Sequence, residues 1–586
     1  MRKLITLYAA AAALAISAPA LARPAEDFHA LMDQYWATYL KDNPITATQT
    51  GVTTYDRELG TVTLTELDRQ TAEAVAFLAR LDGIPPAQLS VADQANHAIL
   101  HRLLADSVEA NKFGQRQMLF SSQGSLHGSL ATLGEQQPFH SYADYDNYLA
   151  RISQVPKQMG NLAEISRKAA REGYVHPCVT LGNVETSITG VIATDPAKSR
   201  YYAPFAGAKP GNVSEEQWAD LRARAATLIS SKINPAYQSW ASVYHSEVGP
   251  KCRQTTAASA LPQGKEYYAF LVRQQTTTNL SPDQIHALGL SEVSRIRGEM
   301  DALAKSSGYP TRQAMIGKMR SDPKYFAKTP AELMGAAALM AKTIDGKMPS
   351  LFMKLPRLPY GVKPIPADSA EGNTTAYYVG GSPDAGIAGT YFVNTTHLDQ
   401  RPLWELPALT VHEAVPGHHM QISTQQELDL PAWRKYNAFF TSFVEGWGLY
   451  SERLGIELGI YDTPEKNMGR LSYEMWRACR LVVDTGLHAK GWTKAQAVAF
   501  MKDNTALTDA NIDAEVNRYI STPGQALAYK LGELKIRELR ARAEKELGPK
   551  FDLRRFHDAV IGQGSLPLDA LDAQINRWIA MEQART

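Results

Sequence analysis

Apolar residues recur at helical spacing through nearly all of this 586-residue chain and lose that spacing over one stretch, residues 348–396. Phe28, Leu31, Met32, Tyr35 and Trp36 fall on one helical face, and Ala72, Val75, Ala76 and Leu78 continue the pattern. It returns over 145–168, 215–243 and 281–303. The last of these opens with Ser281 as N-cap and Pro282 at the first helical position, where a missing N–H costs nothing. No unit of about 20–50 residues repeats, which excludes a solenoid. Within 348–396, Pro356, Pro359, Pro364, Pro366 and Pro383 break helices, while Thr375 to Val379 and Gly389 to Asn394 have strand composition. The expected fold class is mainly α: a two-lobed helical protein with a deep cleft and a small β hairpin or sheet.

The first 22 residues carry a basic start (Arg2, Lys3), an apolar run and the small-residue end Ala20-Leu21-Ala22, the pattern of a secretory signal peptide cut after Ala22. No Cys follows that cut and no later apolar run reaches the roughly 18 residues that span a bilayer. A soluble periplasmic or secreted protein is expected. The domain reading is signal peptide 1–22, an N-terminal helical region 23–345, and a catalytic region 346–586, the last two forming one continuous unit. Loss of Arg2 and Lys3 takes the formal charge from +1 to −1, a neutrality that argues against nucleic acid or anionic membrane as partner. Cys178 and Cys252 sit in loop-like contexts beside Pro177 and Pro250 and are candidates to pair in an oxidising compartment, whereas Cys479 lies in a helical run and reads as a buried thiol.

Chemistry concentrates in His412-Glu413-Ala414-Val415-Pro416-Gly417-His418-His419 and in Glu445 beyond it. A catalytic zinc site takes three protein ligands and keeps a position for water, whose pKa falls from about 15.7 to about 7. The usual H-E-x-x-H spacing puts both His on one helical face, but the fourth residue after His412 is Pro416, so the helix is expected to be deformed. A bulge absorbing two residues would bring His418 to the second-ligand place; on a regular helix His419 would share the face of His412 one turn further on, and it remains the alternative. Glu445 lies in an apolar helical stretch where a charge needs a partner or a metal, which makes it the third ligand, with Glu452 as fallback. Glu413 is the candidate general base.

Two polar clusters follow. Arg477, Arg480, Asp484 and His488 share one face of an otherwise apolar helix; Asp484 is a candidate to orient a metal-bound imidazole, and His488 to donate to an oxyanion. In the second, Pro523-Gly524 opens a helix; Tyr529 or Tyr519 could polarise a carbonyl, and Arg518 or Lys530 could bind a substrate carboxylate. Tyr391 to Asn394, just before the metal motif, could serve as an edge strand that holds an extended substrate by main-chain hydrogen bonds.

These segments resemble a bacterial domain-of-unknown-function family, number 885, which carries His-Glu-x-x-Pro-Gly-His-His, Glu-Gly-Trp, Val-Asp-Thr-Gly-Leu-His and Pro-Gly-Gln-Ala-x-x-Tyr. Here they are His412 to His419, Glu445 to Trp447, Val483 to His488 and Pro523 to Tyr529. The resemblance implies distant kinship with helical, two-lobed zinc peptidases of the angiotensin-converting-enzyme and oligopeptidase type, whose deep cleft admits short peptides.

The expectation is a zinc metallopeptidase of short peptides, with one Zn2+ per chain held by His412, His418 (or His419) and Glu445, Glu413 as base and then proton donor, and Tyr529 and His488 as oxyanion donors. Manganese, iron or cobalt suit the same ligands. Two alternatives keep the residues and change the role: an amidase or esterase of non-peptide substrates, and a non-catalytic periplasmic peptide-binding protein.

Overall fold

Ser and Thr residues cap several of the helices in this protein. The computed structural model describes residues 24–121, 125–135, 137–366, 370, 373–383 and 386–585; the export signal read over 1–22 lies outside them. The side chains of Thr63, Ser90, Ser141, Ser281, Thr463 and Thr508 each accept the N–H that opens a helix. At Ser281 the cap is a full capping box with Gln284, and helix Pro282–Ser306 runs three residues past its expected end. Most described residues are helical, and none of the described helices is long and apolar enough to cross a membrane.

Three large apolar clusters organise the helices. One joins Phe28, Leu31 and Leu100 from the start of the chain to Phe443, Trp447 and Tyr450 and to Ile536, Leu539 and Ile575 near its end. A second joins Ile296 and Met300 to Tyr391, Leu409 and Val482. The third, around Tyr148, Tyr201, Tyr237 and Trp240, draws all its buried members from 59–248. Full burial of such a side chain stabilises by about 1.5–3 kcal/mol, so the first two clusters bind sequence-distant segments around the metal motif.

One tight helix crossing is made by glycine. Helix Thr441–Leu454 meets helix Leu527–Leu547 where Gly446 faces Gly532; a Cβ on Gly532 would stand 1.8 Å from the Ser442 carbonyl oxygen. Only a missing side chain on both helices allows this approach, and it brings Glu445 and Tyr529 to the same neighbourhood.

Among the described residues the sheet has three strands, β1 (Tyr360–Pro364), β2 (Ala376–Val379) and β3 (Gly389–Val393), in the order β1-β3-β2. β2 and β3 are the two expected strands and pair antiparallel, Ala376 opposite Val393 and Val379 opposite Thr390. β1, parallel to β3, has no counterpart in the sequence reading because Pro359 and Pro364 look like breakers there; at the edge of a sheet proline is tolerated. β3 is therefore the central strand. Its main-chain groups are taken on both sides, which corrects the edge-strand role expected for Tyr391 and Asn394.

Cys178 and Cys252 form a disulfide across 74 residues, with Cα atoms 4.9 Å apart, and Cys479 is a buried thiol.

Candidate metal centre

The motif helix stops instead of bulging. Helix Leu406–Glu413 ends at Glu413, a turn through Ala414 and the cis peptide Val415-Pro416 follows, and a new helix starts at His418 and runs to Glu427. The Trp447 indole N–H donates to the Pro416 carbonyl at 2.8 Å and ties the turn to the Glu445 helix. The break reaches the end that the expected bulge would have served: it turns His418 back toward His412.

His412, His418 and Glu445 converge, each offering one ligand atom, with all three atoms within 4.8 Å of one another. Glu445 Oε2 lies 3.6 Å from His412 Nε2 and 3.4 Å from His418 Nε2, and the imidazoles meet nearly at right angles, centroids 4.7 Å apart. The His412 side chain is 4% exposed, those of His418 and Glu445 12% and 17%, so the cluster is mostly sunk in protein, with His418 and Glu445 keeping part of their surface accessible. Burial alone would raise the Glu445 carboxyl, but the two imidazoles hold it well below the usual carboxylate range. Burial likewise opposes charge on His412, yet Glu445 and Glu452 outweigh it and raise its pKa to about 9. Glu445 Oε2 is buried and has no hydrogen-bond partner among the described residues. A carboxylate oxygen without a partner, aimed at two imidazole nitrogens, fits a divalent cation, which replaces the proton these groups would otherwise share.

His419 is not in the cluster. Its Nδ1 meets the Tyr378 hydroxyl at 2.9 Å and the Ser423 hydroxyl at 3.2 Å, and its ring packs on Tyr360. It lines a cavity of about 450 Å³ together with Tyr360 and Val415, and burial pushes its pKa down to about 4.

The group behind His412 is Glu452, not Asp484. His412 Nδ1 donates to Glu452 Oε1 at 2.8 Å, and Arg477 Nη2 forms an ion pair with the same oxygen at 3.0 Å. This fixes the imidazole tautomer that leaves Nε2 free for a metal. Glu452, the fallback ligand of the sequence reading, thus takes the orienting role expected of Asp484. Asp484 lies elsewhere, accepting from the Tyr268 hydroxyl at 2.6 Å and from the Gly524 N–H, with burial raising its pKa to about 7. Seven residues separate Glu445 from Glu452, so both project from one helical face; that spacing was the available signal.

Other expected roles are also corrected. His488 is fully buried with both nitrogens engaged: Nδ1 accepts from the Ala258 N–H and Nε2 donates to the Tyr519 carbonyl, each at 2.9 Å, so no oxyanion can reach it. Lys530 is enclosed by Glu292, Glu474 and Glu533 at 2.9–3.1 Å, and its charge is neutralised there. Tyr519 is fully buried, its hydroxyl accepting from Trp476 and Arg480. The Tyr391 hydroxyl faces Thr410 on the motif helix at 3.4 Å, and the Asn394 amide bridges the Ala370 and Thr374 carbonyls, so both brace the sheet.

Tyr529 and Glu413 do stand at the site. The Tyr529 ring lies nearly parallel to that of His412 with centroids 6.3 Å apart, and the Arg480 guanidinium covers the Tyr529 ring at 4.3 Å. Glu413 is buried beside His412 at the end of its helix, and its charge acts on both His412 and Tyr391. Arg518 donates to Glu515 and Gln525 and keeps 20% of its side chain accessible.

Fold and site together define a mainly α-helical protein with a three-residue His-His-Glu cluster able to hold a divalent cation. The chain belongs to the family of bacterial proteins of unknown function DUF885, whose model matches residues 44–575. No curated protein matches it. Among solved structures it is similar to a "putative lipoprotein" of Colwellia psychrerythraea, at 28% identity and a TM-score of 0.88, with 95% of this chain and 99% of that chain covered. It is also similar to a "putative lipoprotein of unknown function" of Shewanella oneidensis, at 18% identity and a TM-score of 0.70 over 94% and 99% of the two chains, a likeness of fold alone. Pyrococcus furiosus carboxypeptidase aligns at 11% identity and a TM-score of 0.37 over 95% and 99%, too loosely to bear on fold or activity.

Proposed function

We propose that this protein is an exported metallohydrolase that cleaves peptide bonds of short peptides, with one zinc ion held by His412, His418 and Glu445. The observation that carries the reading is the convergence of those three side chains around an unpartnered carboxylate oxygen, with Glu452 orienting His412 from behind. A zinc ion held there supplies Lewis acidity, which polarises a carbonyl and brings the pKa of water to about 7. Glu413, one residue from His412 in the chain, accepts the proton of the attacking water and returns it to the amine as the C–N bond breaks. Tyr529, stacked on His412, donates to the carbonyl oxygen as negative charge builds on it. Export is supported by the pattern of residues 1–22, by the Cys178–Cys252 disulfide, which suits an oxidising compartment, and by the lipoprotein descriptions of the two similar structures. The regions 23–345 and 346–586 act as one unit in this reading, since two apolar clusters draw on both.

The test is elemental analysis of the purified protein beside cleavage of a mixed peptide library. Wild type is expected to carry one zinc per chain and to release free amines. Glu413→Gln should keep the zinc and lose about 10²–10⁴ in turnover. Full turnover in Glu413→Gln would remove the base from the mechanism, and a metal-free wild type would remove the reading itself.

A further inference from the structure

Tyr529 reaches the metal ligands through its ring, but the direction of its hydroxyl hydrogen is set elsewhere. Gln525, four residues earlier in the turn that leads into helix Leu527–Leu547, places its amide nitrogen 3.4 Å from the Tyr529 hydroxyl oxygen, and its amide oxygen accepts from Arg518 Nη1 at 2.7 Å. Arg518 is in turn anchored on Glu515, at 2.9 Å from Nη2, and Glu515 also takes Arg480 Nη2 at 2.9 Å.

The chemistry of these groups allows one polarity only. A guanidinium has donors and no acceptor, so it must face the amide oxygen of Gln525. The amide NH2, also donor only, then faces Tyr529, whose oxygen must accept. Among the described residues no acceptor takes the Tyr529 hydrogen. It is left free for an oxygen that arrives from outside.

The geometry points to Gln525 as a positioning residue: locked by Arg518, it fixes Tyr529 as a hydrogen-bond donor toward the substrate side of the metal cluster. The inference rests on the peptidase reading for its role in turnover. It also reassigns Arg518, expected from sequence to bind a substrate carboxylate, to the support of Gln525. Without the amide, the phenol is free to turn its hydrogen away or to accept from water. With a carboxylate in its place, polarity reverses: both oxygens accept, one pairs with Arg518, and Tyr529 donates to the other and loses the hydrogen it would offer to substrate.

Gln525→Glu is therefore the decisive variant, since it keeps the shape and strengthens the pairing with Arg518. In peptide cleavage by the zinc-loaded protein, Gln525→Glu is expected to lower kcat by about 10²–10³, as Tyr529→Phe does, with KM within about threefold of wild type. The double variant should be no slower than Tyr529→Phe alone, because a residue that acts through Tyr529 has nothing left to orient. Wild-type kcat in Gln525→Glu, or losses that multiply in the double variant, would overturn the proposal. A second readout needs no turnover: calorimetric binding of acetohydroxamate, a small metal chelator whose oxygens accept hydrogen bonds. Tyr529→Phe and Gln525→Glu should weaken it by the same factor while zinc content stays at one per chain. If wild type cleaves no peptide, the peptidase reading fails and this comparison alone decides; wild-type affinity in either variant overturns the orientation.

Discussion

Replacing Glu452 by Gln should weaken the metal about tenfold without moving a ligand. Glu452 is 1% exposed, and a single oxygen, Oε1, accepts the His412 Nδ1–H at 2.8 Å and pairs with Arg477 Nη2 at 3.0 Å, while Oε2 is buried without a hydrogen-bond partner among the described residues. A glutamine can put its amide oxygen in the place of Oε1 and keep both contacts. What changes is charge. A hydrogen bond to a charged group contributes about 1.5–3 kcal/mol and a neutral one about 0.5–1.5, a difference of about 1–1.5 kcal/mol, or roughly tenfold in metal affinity. This lies at the lower end of the 10–100-fold range usual for removal of such an orienting partner. Glu452→Ala should do more, toward the hundredfold end, because it also leaves Arg477 buried without its carboxylate. The assay is a competition titration of zinc against a chelator of known affinity, with circular dichroism and thermal melting of each metal-free variant to separate loss of affinity from loss of fold. Zinc affinity within twofold of wild type in Glu452→Gln would refute the reasoning, as would equal affinities in Gln and Ala.

The metal-free protein should lose stability as pH rises from about 6.5 to about 9. His412 has its pKa raised to about 9 in the folded chain, so its contribution is complete below the unfolded value near 6.5 and is lost as pH passes through the folded value. The full step is about 3 kcal/mol; the raised His412 and the lowered Glu445 describe one interaction and count once. Zinc loading should remove the His412 part of this slope in melts at a series of pH values, leaving the part due to the buried Asp484 and Glu405 carboxyls, whose pKa values are raised to about 7 and about 8; a metal-free profile no steeper than the zinc-loaded one would count against the cluster. Cutting the disulfide with Cys178→Ser and Cys252→Ser should destabilise by about 4.5 kcal/mol from the 74-residue separation, read as a lower denaturant midpoint, with zinc content unchanged. An unchanged midpoint would show that this loop does not limit unfolding.

The local features of this chain were legible in its sequence. Helical spacing, the Ser281 cap, the strands β2 and β3, and a metal motif followed by Glu445 all depend on residues close in the chain or on side-chain chemistry alone. Even the break at Pro416 followed from proline's missing donor, though whether it would take the form of a bulge or a stop did not.

Only tertiary structure decided which of two adjacent histidines turns toward His412 and which faces Tyr378, because that choice belongs to the turn and to the sheet packed beside it. The same holds for the charges on the long helix Pro464–Ala489. Arg477, Arg480, Asp484 and His488 share one face by sequence, but Arg477 meets Glu452, Arg480 meets Glu515 and Tyr529, Asp484 meets Tyr268, and His488 meets Ala258 and Tyr519. Periodicity tells which residues share a face and not what the facing helix brings. A buried charge takes its role from its partner, and these partners lie from 25 to more than 200 residues away along the chain.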